Sequence, residues 1–249
     1  AENVVFISGE YSWASTLRYL TITGARGAVD GDGGGVMVGK ADVTIEGCTI
    51  TGNRSIARGG GVYGGSVAVI TIHDSTISSN TSSQYGGGVY AVKSLAMSDC
   101  VVSGNSSQGG GGVSVGDGIH TSGPLDYAAI TRTAFDNNTS TDCGGGLRSA
   151  IYSDVTVTYS TFSNNRSTGD YYQDGGAICN AGGTLTVRSS TFADNQAADQ
   201  GGAIFAYGTN NVSASTFHHN SATTGKMIYR SSGNFTSYGN IFAGSGQAG

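Results

Sequence analysis

The chain has 249 residues, with 12 Lys and Arg against 17 Asp and Glu and a formal net charge of −5. A nucleic-acid partner wants clustered basic groups, so that class is excluded, and no apolar run approaches the ~20 residues of a membrane span. The 43 glycines and one proline would suit a low-complexity chain, except that the glycines recur at fixed places.

In chain order, the segment AENVVFISGEYSW reads as a plausible strand with no signal peptide before it, which fits a processed mature form or an excised fragment. A degenerate repeat follows, SWASTLRYLTITGA, with Ala25 at its last place. Clear units then begin at Gly33, Gly59, Gly86, Gly110, Gly144, Gly175 and Gly201. They close on Asn53, Asn80, Asn105, Asn138, Asn165, Asn195 and Asn220. A last degenerate copy, KMIYRSSGNFTSYGNIFAGS, makes nine rungs. Within VTIEGCTITGN, Val43, Ile45, Cys48 and Ile50 fall on one side and Thr44, Glu46 and Thr49 on the other, with a bend at Gly47. Period 2 is the signature of half-buried strands, and no amphipathic helix competes with it.

A repeat of about 25 residues built of two or three short strands predicts one coil of a parallel β-helix, spanning residues 1–249 as a single all-β domain. Coils ~4.8 Å apart bury a continuous core. One inward column runs Val36, Val62, Val89, Val113, Leu147, Ile178, Ile204, Ile228. A second runs Ile22, Ile50, Ile77, Val102, Phe135, Phe162, Phe192, Phe217, Phe242. Where Phe replaces Ile, the core must widen or the opposing residue shrink. A small inward column holds Cys48, Ser75, Cys100, Thr133, Ser160, Ser190 and Ser215. The repeated Asn suits a left-handed or bridge corner, and its amide can bond up and down the stack. That turn chemistry explains the sequons at Asn53, Asn80, Asn105, Asn138 and Asn165 without glycosylation.

The wording GG(A/G)(I/V/L), best preserved at residues 175–178 and 201–204, alternates with F-x-x-N at 135–138, 162–165, 192–195 and 217–220. This resembles the repeat of polymorphic outer-membrane proteins and related bacterial surface β-helix proteins. Earlier rungs depart from it, with ITGN, ISSN and VSGN. The resemblance covers nearly the whole chain and implies a right-handed parallel β-helix at an extracellular or cell-surface location. It leaves function open, because that scaffold hosts adhesins, lyases, esterases and structural proteins.

Residues that could carry function lie outside these columns. An outward column beside the glycine strand reads Met37, Tyr63, Tyr90, Ser114, Arg148, Cys179, Phe205, Tyr229. Its Tyr63, Tyr90, Arg148, Phe205 and Tyr229 form a candidate binding face, since an exposed aromatic stripe usually means contact. The alternative is ordinary aromatic ladders of high β propensity. Two long loops, residues 116–126 and 166–174, contain His120, Asp170, Tyr171 and Tyr172, which are the types an acid/base pair of a polysaccharide lyase would need. They leave different corners, and only Arg148, Lys93, Lys226 and Arg230 lie near faces that could hold a uronate. The outward column Thr21, Thr49, Thr76, Thr161, Thr191, Thr216 suggests an ice-binding array but is broken at Val101 and Ala134. Asp30, Asp32, Asp142, Asp170, Asp174 and Asp199 read as a solvated acidic edge rather than a calcium site, and neither a metal nor a cofactor is expected.

Cys48 and Cys100 share a column two rungs apart, ~9.6 Å, beyond disulfide reach. Cys143 and Cys179 are placed in adjacent rungs but about five residues apart along the strand. The expectation is four free cysteines in each chain, with Cys143 and Cys179 available for bonds between chains. No cap is legible at either end, so a cut from a longer passenger and head-to-tail pairing into a filament are both open. The function expected first is an adhesive or structural surface protein, binding itself, glycans or proteins. A polysaccharide lyase or hydrolase comes second.

Overall fold

The computed structural model describes residues 4–8, 14–26, 31–118, 126–169 and 174–244. Every strand pair in them is parallel, and the strands lie in three sheets of a β-helix, two running its length and a third of six strands from Arg54–Ser55 to Gln196–Ala197. One sheet contains nine strands in simple chain order, from Thr21–Thr23 to Ile241–Ala243, which defines nine stacked rungs. The fourth rung shows the plan: a glycine strand Val89–Ala91, a long strand Ser94–Ser98, a third strand Val101–Ser103 and a short fourth strand Ser106–Gly109. In later rungs the first two merge into continuous strands, Ile178–Arg188 and Ile204–Ser213. Among the described residues no helix is long and apolar enough to cross a membrane.

Both inward columns stack in the expected register: Val89 pairs with Val62 and Val113, and Phe162 with Phe135 and Phe192. The phenylalanine rings stack nearly parallel in succession, Phe135–Phe162 at 4.4 Å and Phe192–Phe217 at 4.7 Å between centroids. The volume is balanced within the rung. The last inward residue of the long strand is Ile45, Ile72 or Met97 where the third strand carries Ile or Val. It falls to Val157, Val187 and Val212 beside Phe162, Phe192 and Phe217. Ala128, in the first Phe rung, takes the place of Leu95.

The asparagines are inward and buried rather than left-handed. The left-handed residue is the one before each: Ser79, Asn137, Asn164, Asp194 and His219 have φ between 53 and 56°. That conformation turns the chain, and it aims the following Asn into the stack. There Asn165 Nδ2 donates to Phe135 O and to Asn195 Oδ1, while Asn165 Oδ1 accepts from the backbone N–H and Nδ2 of Asn138. The ladder runs from Asn53 to Asn220 and satisfies corner groups that the sheets leave unpaired. Asn53, Asn80, Asn105, Asn138 and Asn165, each in a sequon, are all buried in it.

The small inward column has a matching role at the previous corner. Ser75 Oγ donates to His73 O and accepts from Cys48 N, and Ser160 and Ser190 repeat the arrangement. Cys48 and Cys100 stand in this column with their thiols donating to Glu46 O and Ser98 O. Both are free and buried, as the spacing predicts.

Candidate functional site

The first glycine of each rung is left-handed, with φ of 66° at Gly59 and 65° at Gly86. A Cβ built there would lie 2.8 Å from the Cβ of Tyr63 or Tyr90, so the corner closes only on glycine. This tight reversal has a consequence on the outside of the tube. The residue just before the glycine and the fourth residue after it face one another across this corner, a notch that Arg58 spans to Tyr63, Tyr85 to Tyr90 and Cys143 to Cys179. Arg58, Tyr85, Gly109 and Cys143 line one wall, and Tyr63, Tyr90, Ser114, Arg148, Cys179 and Phe205 line the other.

Two expectations are corrected here. Cys143 and Cys179 are not separated along one strand: they stand on opposite walls, 5.7 Å apart at Cα, and form a disulfide within the chain. Neither thiol is therefore available to a second chain. The strand-based estimate failed because it ran the chain straight through a corner that folds back. The outward column is also not an open stripe. Tyr90, Ser114, Cys179 and Phe205 are buried: Tyr90 packs with Tyr85 and Arg58, Ser114 lies against Arg148, and Cys179 and Phe205 cluster with Cys143. The disulfide packs with Ala181, Phe205 and Tyr229 into a small apolar cluster outside the main core.

The other half of the notch is polar, aromatic and partly open. Arg58 donates from Nε and Nη2 to the two oxygens of Asp32, each at 2.9 Å. Its guanidinium lies 5.8 Å from the Tyr63 ring centre and 5.3 Å from that of Tyr90. Tyr63 and Tyr90 stack at 5.7 Å, Tyr85 stacks on Tyr90 at 6.4 Å, and Arg148 covers Tyr85 at 4.5 Å. The result is a continuous run of three stacked rings, with the Arg58 guanidinium against one end and that of Arg148 over the other, across four rungs. Burial, then Asp32, pushes the Tyr63 hydroxyl up to about 12, and burial raises that of Tyr90. Burial acts against the charge of Arg58, but hydrogen bonding and attraction to Asp32 and Tyr90 together outweigh it and raise its pKa. A phenol held high is a poor base near neutrality.

The remaining sequence candidates divide as follows. His120, Asp170, Tyr171 and Tyr172 lie outside the described residues. The threonine column stacks in register, with Val101 and Ala134 interrupting it. The acidic edge is not uniformly solvated. Asp32 is paired with Arg58, and Asp174 is buried with Oδ2 accepting from the N–H groups of Asp199 and Gln200. Burial raises the carboxyl pKa of both Asp142 and Asp174.

That direction carries a pH prediction. A carboxyl whose folded pKa exceeds its unfolded value binds more protons in the native state between the two. Stability therefore rises as the pH falls from neutrality through the raised value towards the ordinary 3.8. The thermal midpoint is expected to climb over this mildly acidic window. Asp174→Asn should flatten the climb, and an unchanged pH profile in that variant would contradict the assignment.

Sequence reasoning also passed over three residues on another corner, Asp194, His218 and His219, whose donor atoms lie within 4.8 Å of one another. Aligning FADN with FHHN, two adjacent F-x-x-N copies, was the available signal.

A family described as the right-handed beta helix region matches residues 3–124 and 114–249. No curated protein and no solved structure gave a match. Parallel rungs, stacked inward columns and that match over both halves agree: the chain belongs to the right-handed β-helix family.

Proposed function

We propose that the protein is a non-enzymatic adhesive β-helix of an extracellular or cell-surface setting, and that the notch from Arg58 to Arg148 grips a glycan or protein partner. The observation that carries this is the run of Tyr63, Tyr85 and Tyr90 between Arg58 and Arg148 on the outside of the tube. The partly accessible rings of Tyr63 and Tyr85, held rigidly against the buried Tyr90, offer apolar surface at little entropic cost, and Arg148 supplies hydrogen-bond donors beside them. Arg58, Tyr63, Tyr85 and Arg148 remain partly solvent-accessible. The disulfide supports an oxidising location. The resemblance to bacterial surface repeats points the same way. Nothing about Tyr63 favours catalysis, since its hydroxyl is held far above the range of a general base at neutral pH.

The test is retention of the purified protein on immobilised neutral and acidic polysaccharides and on extracellular-matrix proteins. Tyr85→Ala and Arg148→Ala are to be compared with wild type, and circular dichroism reports the fold. Selective retention that both variants lose is the expected result. Retention that both variants keep would remove the notch from the reading. If alginate, pectate or glycosaminoglycans instead gain the ultraviolet absorbance of unsaturated uronates, the lyase reading replaces it.

A further inference from the structure

The helix stacks equivalent corner residues directly above one another, so two ligating side chains at one corner position are held a rung apart by the backbone itself. Asp194 and His219 occupy the left-handed place before the Asn in adjacent rungs, with φ of 56° and 54°. Asp194 N donates to His218 O, and His219 N donates to Gly244 O, which fixes the register. The two side chains therefore leave the tube in the same direction. Nδ1 of His219 lies 3.6 Å from Oδ1 of Asp194. His218, the preceding residue, points outward from its strand. Its ring meets that of His219 edge to face, 5.3 Å between centroids and 81° between planes.

The 3.6 Å separation is longer than a good N–H···O bond, which ends near ~3.2 Å. It is close to the ~3.3 Å edge of a tetrahedron whose metal–ligand bonds are ~2.05 Å, the length of zinc bonds to His and carboxylate. The small neighbours keep the place open. His218 has Ala193 beside it on one rung and Ala243 on the other, where earlier rungs carry Thr, Ser or Asp. Gly244 follows His219 in its column. Asp194 and His219 are more than half exposed, so an ion can enter without opening the fold.

We infer that Asp194, His218 and His219 form a surface site for one divalent transition-metal ion, of which Zn²⁺ is the best match, with solvent completing the coordination. Two imidazoles and one carboxylate form a donor set that suits zinc and its neighbours rather than calcium or magnesium, which take oxygen ligands. The set carries one negative charge when both rings are neutral, so it attracts a cation. Bound there, the ion would clamp two adjacent rungs on the outside of a corner that hydrogen bonds already hold on the inside.

The experiment titrates Zn²⁺ into tag-free protein, read by calorimetry and by the histidine ring resonances in NMR. The comparison is the triple variant His218→Ala, His219→Asn, Asp194→Asn. Asparagine is chosen because it accepts the left-handed backbone, so the corner survives. About one ion per chain is expected. The resonances of His218 and His219 should move while those of His73 stay, and the variant should bind at least ~10-fold more weakly. Magnesium in place of zinc should give no heat. The inference is overturned if wild type takes up no zinc, if the triple variant binds with unchanged affinity, or if the shifts fall on His73 instead.

Discussion

Phe162→Ala is expected to destabilise the protein by about 3–5 kcal/mol, the range for removing a fully buried Phe ring. Phe162 has no exposed surface and lies between Phe135, at 4.4 Å and 1°, and Phe192, at 5.0 Å and 7°. The site cannot collapse to fill the space. Its strand is held on both sides by parallel pairing, Thr161–Ser163 against Ala134–Asp136 and against Thr191–Ala193. Gly146 is already so close that a Cβ there would lie 3.0 Å from the Phe162 ring. The cavity therefore persists, and its cost adds to the lost transfer energy. A solenoid couples each rung mainly to its neighbours, so this loss should also weaken cooperation between the two halves. Urea unfolding is expected to show an earlier midpoint and a lower apparent slope. Phe242→Ala is the control: the same column ends there, 52% exposed, and the loss should be about 1 kcal/mol or less. Equal effects at the two positions would mean that the rungs relax freely and that the stacked column is not a rigid core.

The second large effect concerns the disulfide. Cys143 and Cys179 are 36 residues apart, and closing a loop of that length removes roughly 4 kcal/mol of unfolded-state entropy. The bond ties one wall of the notch to the other across neighbouring rungs, and its loop encloses one whole turn of the tube. The double variant Cys143→Ala, Cys179→Ala is expected to lose up to that amount. Both sulfurs are buried against Ala181 and Phe205, so reductant should act slowly on the native protein and quickly once it is unfolded. The thiol count checks the pairing directly. Denatured without reductant, the protein should present two thiols, those of Cys48 and Cys100, and after reduction four. Four thiols before reduction would overturn the assignment.

These two sites differ in how far they could be read in advance. Phe162 was legible because its column is an alternation within a strand repeated at a nearly fixed interval. Alternation and interval both survive in one dimension. The disulfide was not legible, because the separation of Cys143 and Cys179 depends on how sharply the chain reverses at Gly144. Counting residues along a strand treats that corner as straight. The aromatic column illustrates the same limit. Its outward direction was readable at Tyr63, Tyr90 and Arg148, but whether outward meant exposed was decided by Arg58, Tyr85 and Cys143 on the facing wall. The asparagines fall between the two cases. Their stacking followed from recurrence, whereas their inward aim came from the left-handed residue just before them.

By itself, then, the sequence determined that this chain is a parallel β-helix of nine rungs, which residues fill it and in which register they stack. Those properties follow from local periodicity and from the need of each coil to bury its apolar side against the next. Only the tertiary structure decided what the outside of the tube brings together: the Cys143–Cys179 bond, the ladder of Arg58, Tyr63, Tyr90, Tyr85 and Arg148, and the convergence of Asp194 with His218 and His219. The reason is geometric. Residues on the outer surface meet across corners and between rungs, and those distances are set by left-handed turns and the stacking of the backbone rather than by spacing along the chain.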